Sequence, residues 1–315
     1  MKAKSLLLFG ISACALSGCT IIKAHDHKVN FDSFKSSVNS AFQKSILYDI
    51  AKDKACSLQI DTKGYTYAKT SYLKDNKTIA TEKLVNETSG KLKYDHSKNV
   101  VSIKGSLESE SSDSSDEKEE EYSGSSLFQV NNNKLLEIDL NSKCYKVSDL
   151  HKEGVDPASL VWSVVKQKFS SLFYLIEIFG ENIQSAKYYV DSNVYTIEID
   201  TSENDKDTGT KRTGKDVYQI VTKDDGSIEF RTKSNMLVEK ENYKFDTRSD
   251  GSFSITKRDV AVAKVDLNKY LDITEPEDDD SDLYWDNGLE KYTVQDYIES
   301  LMKDEHSCFG FLVLL

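Results

Sequence analysis

From residue 31 onward apolar positions recur every three or four residues: Phe31, Phe34, Val38, Phe42, Ile46 and Ile50 form one stripe, with Asn30 or Asp32 placed as N-cap. The spacing predicts a helix with one buried face. From about Leu58 the period falls to two. Tyr65, Tyr67 and Thr70 to Leu73 precede the polar break Lys74-Asp75-Asn76-Lys77, and Ile79 to Val85 follows it. Asp95 to Asn99 divides Leu92 to Tyr94 from Val100, Val101 and Ile103, and Asn131-Asn132-Asn133 divides Leu127 to Val130 from Leu135, Leu136, Ile138 and Leu140. With Tyr145 to Val147 these read as consecutive hairpins.

Asp156 as N-cap, Pro157 at the first helical position and Gly180 as a stop bound a second helix. Val161, Val165, Phe169, Leu172, Ile176 and Phe179 make its stripe, widened by Trp162, Phe173, Leu175 and Ile178. A helix apolar on nearly every side is surrounded by protein, and Lys166, Lys168 and Glu177 argue against a membrane span. The two-residue period then resumes over 187–190, 194–199, 217–221, 228–231, 237–245, 253–255 and 260–265. Asp191-Ser192-Asn193, Asp224-Asp225-Gly226 and Ser249-Asp250-Gly251 stand as turns among these strands. Asn99 to Lys104 and Asn193 to Glu198 resemble each other and hint at two equivalent halves.

The pattern fits an α+β fold: a large, curved, mainly antiparallel meander sheet with an N-terminal helix and one apolar central helix packed on it. Residues 31–275 form the single domain, within which the Ser, Glu and Asp run 108–124 has too little apolar surface to offset ordering entropy and is expected as a disordered loop. Residues 276–315 carry an acidic linker from Pro276, a short helix near 293–303 and an apolar tail.

Ahead of the domain, Lys2 and Lys4 precede the short apolar run Leu6 to Ile11, and the stretch from Ser5 to Gly18 is too short for the roughly 20 residues that cross a bilayer. Leu16-Ser17-Gly18-Cys19 follows. This arrangement resembles the lipobox of bacterial lipoproteins. The resemblance implies that residues 1–18 are a signal peptide, that cleavage exposes Cys19, and that its thiol carries a diacylglyceryl group holding the chain to the extracytoplasmic face of the cell membrane. Residues 19–30 then serve as tether, and the eleven residues from Thr20 to Asn30 span at most about 40 Å.

The chain's formal charge of -12 becomes -14 once Lys2 and Lys4 are removed, which argues against nucleic acid and against flat adsorption on anionic lipid. Two acyl chains on Cys19 supply the anchorage that charge does not. Cys56, Cys144 and Cys308 remain as thiols, an odd number, and Cys56 with Cys144 or buried free thiols are both open. His25, His27, His96, His151 and His306 lie in tether, turn, loop and tail, none in a nucleophile motif, so an enzyme is not expected. No metal or cofactor is expected: His25 and His27 lack further ligands, and Glu203 to Gly209 departs from a calcium loop by a displaced glycine and Gly214 at its twelfth position.

The order of elements over roughly 30–270 resembles the lipoprotein-carrier fold of the LolA and LppX type, without a matching residue motif. That resemblance implies an apolar ligand such as a lipid or acyl chain held between sheet and helix, with Trp162, Phe169, Leu172, Phe173 and Ile176 lining the site. Two readings stand beside it: these residues fill a core, or the protein is a surface-interaction or structural lipoprotein without a ligand cavity.

Overall fold

The computed structural model describes residues 21–22, 27–51, 56–115, 118–131, 134–149, 157–158, 160–161, 165, 186–257, 260–274, 285–286 and 291–292. Strand β1 (Lys28–Val29) leads into helices α1 (Phe31–Gln43) and α2 (Ile46–Ala51). A first meander follows: β2 (Leu58–Lys74), β3 (Lys77–Asp95), β4 (Val100–Asp113), β5 (Lys118–Asn131), β6 (Lys134–Asp139) and β7 (Cys144–Asp149). The second comprises β8 (Ala186–Asp191), β9 (Val194–Asp205), β10 (Thr210–Thr222), β11 (Ile228–Lys240) and β12 (Tyr243–Lys257). Strand β13 (Leu271–Asp272) ends the main sheet, and β14 (Trp285–Asp286) pairs separately with β15 (Lys291–Tyr292).

These elements make one open 13-stranded sheet in the order β1-β8-β9-β10-β11-β12-β2-β3-β4-β5-β6-β7-β13. Each meander keeps its chain order, and antiparallel pairing of β12 with β2 fuses them. Strand β7 therefore stands near one end of the sheet and β8 near the other. Both edges are closed by two-residue strands, β1 antiparallel on β8 and β13 parallel on β7, which leaves little free ladder for edge-to-edge association.

Helix α1 starts where Asn30, in extended conformation, accepts a 2.8 Å hydrogen bond from the Ser33 N–H. Phe34, Val38 and Ala41 are its buried stripe, at the spacing that puts them on one face. The sequence predicts a single helix through Ile50, whereas the chain breaks at Lys44–Ser45. There the Ser45 hydroxyl donates to the Phe42 carbonyl, and the Ile46 N–H donates to Gly226 of the β10–β11 turn at 2.8 Å, so the next helical turn follows the sheet and not the first helix. Phe31 and Phe34 both lie 5.3 Å from the Tyr188 ring, and Phe42 stacks on Phe230, which fixes the face of the sheet that α1 covers. We call it the inner face. Ile60, Leu92, Val101, Phe128, Ile197, Ile220, Phe253 and Ile255 form its core.

The central helix is represented by helical backbone at 157–158, 160–161 and 165, with Leu160, Val161 and Val165 buried in the same core. The segment expected as a signal peptide with Cys19, the expected lining residues Trp162, Phe169, Leu172, Phe173 and Ile176, the helix expected at 293–303 and the apolar tail lie outside the described residues. Among the described residues, no helix is long and apolar enough to cross a membrane.

Four local expectations are corrected. The run 108–124 is ordered over most of its length: Glu108 pairs with Ser123 and Ser112 with Glu119, in register with Val101–Val130 and Ile103–Phe128. Composition argued for disorder, but a hairpin nucleated on a buried base extends one ladder bond at a time, and Leu107 anchors its middle. Asp250-Gly251 is no turn but the middle of β12, with Gly251 between Thr232 and Gly64. The reversal falls instead at 241–242, splitting the strand expected over 237–245, because pairing Ile228 with Ile255 and Ile255 with Ile60 sets the register. Finally, 260–265 is extended without a ladder of its own. It lies on the outer face, where the Val262 N–H donates to Asp95, Lys98 donates to the Val262 carbonyl and Gln129 to that of Ala263. Its alternation is that of a strap burying Val260 and Val262.

Other turns agree with their chemistry. Asp75, Asn76, Asn99 and Asn193 take positive φ, as does Gly226 at 80°, where a side chain would strain the backbone. Cys56 precedes β2 and Cys144 begins β7, with β3 to β6 between them, so the two are not bonded to each other.

Candidate ligand-binding face

The inner face carries two adjacent rows of small residues where β12, β2, β3, β4 and β5 run side by side. In the first, Thr62 of β2 faces Phe253 of β12, while Gly90, Gly105 and Ser126 are partners across β3, β4 and β5. In the second, Gly251 faces Gly64, and Leu107 lies between Thr88 and Gly124. Thr88 donates to the Gly64 carbonyl at 3.5 Å, tying the two strands across the row. Gly64, Gly105, Gly124 and Gly251 are buried. Glycine weakens a strand, so such a concentration makes physical sense where something must approach the backbone closely.

Two hydroxyls in the first row have no hydrogen-bond partner. Thr62 Oγ1 and Ser126 Oγ are both buried, on residues 8% and 4% exposed. An unsatisfied buried hydroxyl costs on the order of 1–3 kcal/mol. Three inter-strand spacings separate their strands, or about 14 Å.

Beyond Phe128 on the same face stands Glu137 of β6, with Lys146 of β7 opposite. Burial pushes the Glu137 carboxyl up to about 7, against the opposing pull of the Lys146 charge. On the other side of the floor, Ser234 donates a 2.5 Å hydrogen bond to Asp216, and burial, reinforced by the Asp216 charge, raises Tyr218 to about 12. Tyr218 therefore stays a neutral donor. The inner face thus combines buried apolar side chains, glycines and a few polar groups.

Other chemistry is less developed. Among the described residues no three His, Cys, Asp or Glu side chains gather as metal ligands. The loop at 203–209 is the β9–β10 turn, and Asp205 is engaged there by the Asp207 N–H and the Thr208 hydroxyl, which hold its carboxyl below the usual range. His27 lies against Asp191 at the surface and His96 against Tyr94 in the β3–β4 turn.

Thr62, Ser126 and Glu137 were not picked out by sequence reasoning. The available signal was Gly64, Gly90, Gly105 and Gly124 inside strands, a pattern that marks close backbone approach but does not say to what.

The fold belongs to the class of open, antiparallel-dominated sheets with helices on one face. No protein-family model matches the chain, and no curated protein matches it in sequence. Among solved structures, lipovitellin, in a structure titled for its lipid–protein interactions, aligns at 9% identity and TM-score 0.28, covering 71% of this chain and 28% of its own. The chain thus spans just over a quarter of lipovitellin's length. A putative AttH from Nitrosomonas europaea aligns at 6% identity and TM-score 0.19 over 65% of this chain and 53% of its own. OccK7 (OpdD) of Pseudomonas aeruginosa does so at 7% and 0.21, over 64% of this chain and 99% of its own.

Proposed function

We propose that the protein is a membrane-anchored extracytoplasmic lipoprotein, without enzymatic activity, that binds an apolar ligand such as a lipid or acyl chain between the inner face of a curved sheet and the helix over it. The observation that carries this reading is the pair of unpartnered hydroxyls, Thr62 Oγ1 and Ser126 Oγ, set in a glycine floor. An amphiphile with polar groups spaced about 14 Å apart along its length would satisfy both hydroxyls, and one with a single ester, carboxyl or hydroxyl group would satisfy one of them. Burial of Leu160, Val161 and Val165 in the inner core supports a helix crossing that face. The anchorage rests on the lipobox ending at Cys19.

The test is solvent extraction of the full chain purified from membranes, with the lipid quantified per protein. One equivalent of an amphiphile is expected. In Thr62→Val the delipidated protein becomes more stable, while affinity for the ligand falls about tenfold, equivalent to 1.4 kcal/mol. A variant that gains stability with ligand content unchanged would sink the reading.

A second reading, a surface-interaction lipoprotein without a cavity, is favoured by the apolar side chains near the strand ends. Tyr72 and Leu84 are each 38% exposed, Phe245 37% and Ile79 65%. It predicts no co-purifying lipid and capture of a protein partner that is lost on replacing Ile79 and Leu84 by Ser.

A further inference from the structure

On the outer face, Gln219 of β10 stands between Thr196 of β9 and Arg231 of β11. Gln219 and Thr196 are each only 1% exposed, unusual for polar side chains on the face away from the core. The reason is the chain's own N-terminal segment. The Ile22 N–H donates to Gln219 Oε1 at 2.9 Å, and Gln219 Nε2 donates to the Ile22 carbonyl at 2.5 Å and to Thr196 Oγ1 at 3.0 Å. The glutamine amide thus pairs with the Ile22 backbone as a strand neighbour would, using both amide donors and its acceptor. Five residues on, the His27 carbonyl accepts from the Val190 N–H and β1 pairs with β8.

The segment expected as a free tether is therefore pinned at Ile22. Ile22 is three positions along the chain from Cys19, so the cysteine is bound by the covalent chain to lie within about 11 Å of it, in place of the roughly 40 Å that eleven free residues would allow. We propose that the outer face of β8 to β12 is the bilayer-facing surface of the protein, seated on lipid by the anchor at Cys19. This rests on the lipoprotein reading above.

The charge of that face fits the role. Its cations are matched by carboxylates: Lys187 with Asp200 at 2.6 Å, Lys215 with Glu198 at 2.9 Å, Arg231 with Glu229 at 3.0 Å and Lys233 with Asp250 at 3.8 Å. A locally neutral patch on an acidic protein approaches anionic headgroups without repulsion. The exposed Glu108, Glu110 and Glu119 to Glu121 belong to β4 and β5. Strand β4 lies five spacings from β10, about 24 Å, well beyond the Debye length of about 8 Å at physiological salt.

The test uses the full chain, purified from membranes and returned to bilayers of phosphatidylcholine and phosphatidylglycerol. Exchange of the Ile22 amide is measured by mass spectrometry, and fluorophores at position 233 (outer face) or 245 (inner face) are quenched by a headgroup-bound quencher. The Ile22 amide is expected to exchange at least tenfold more slowly than a free chain, with that protection lost in Gln219→Ala. Ile22→Pro, which removes the donor without touching the sheet, should collapse the difference in quenching between 233 and 245. Equal quenching of the two positions in the natural chain, or an unprotected Ile22 amide in a lipidated chain, overturns the proposed orientation alone. An unmodified Cys19 in the mass of the N-terminal peptide overturns the anchoring reading and the orientation with it.

Discussion

Glu137 shows how one residue sets a pH dependence. Its carboxyl, raised from 4.5 to about 7 by burial, holds its proton more tightly in the folded chain than in the unfolded one. Between those values the folded state binds more protons, so stability is full below about pH 4.5 and falls as the pH rises through 7. Glu137→Gln removes the ionisation. We expect nearly equal denaturation midpoints for the two chains at pH 4.5 and an advantage of roughly 3 kcal/mol for the variant at pH 8, read by urea titration. Gly214 works through space. A Cβ there would lie 2.5 Å from the Asn235 carbonyl oxygen, on backbone that a paired strand cannot yield. Gly214→Ala is expected to destabilise by about 1–3 kcal/mol, as overpacking does, with a lowered melting temperature.

At the scale of elements, local chemistry and tertiary contact divide the work. Asn30 caps α1 where the sequence placed a cap, and Asn30→Ala should cost about 1 kcal/mol, measured by thermal or chemical unfolding. The break before α2 had no comparable signal, because its cause is the carbonyl of Gly226, far along the chain. The turns at Asn76, Asn99 and Asn193 were legible from residues that tolerate positive φ. Asp250-Gly251 carried the same signal and is strand, since the register set by Ile60, Ile228 and Ile255 outweighs one dipeptide's preference. The hairpin of β4 and β5 is the converse: its outer residues lack an apolar reason to order and follow the ladder started at Val101 and Ile103.

At the scale of the whole molecule, the fusion of β12 to β2 sends the connection between Asp149 and Ala186 from one end of the sheet to the other, ten strand spacings or about 48 Å. That is where the sequence places its most apolar helix, and Leu160, Val161 and Val165 join the inner core. The strap from 260 to 274 binds the outer face through Asp95, Lys98 and Gln129 and then covers β7 with β13. A chain ending at Lys257 should expose that edge and associate, seen as a concentration-dependent shift in size-exclusion chromatography, whereas one ending at Thr274 should elute as the full chain does.

The sequence by itself determined the alternation of short and long periods, most turns, the α1 cap and the Leu16-Ser17-Gly18-Cys19 motif, because each depends on residues within a few positions of one another. Only the tertiary structure decided that two meanders fuse at β12 and β2, that glycines of separate strands align into a floor beneath Thr62 and Ser126, and that Ile22 is pinned by Gln219. Those features join residues as many as 197 positions apart. Period and propensity carry no information about such pairs until register and strand order exist.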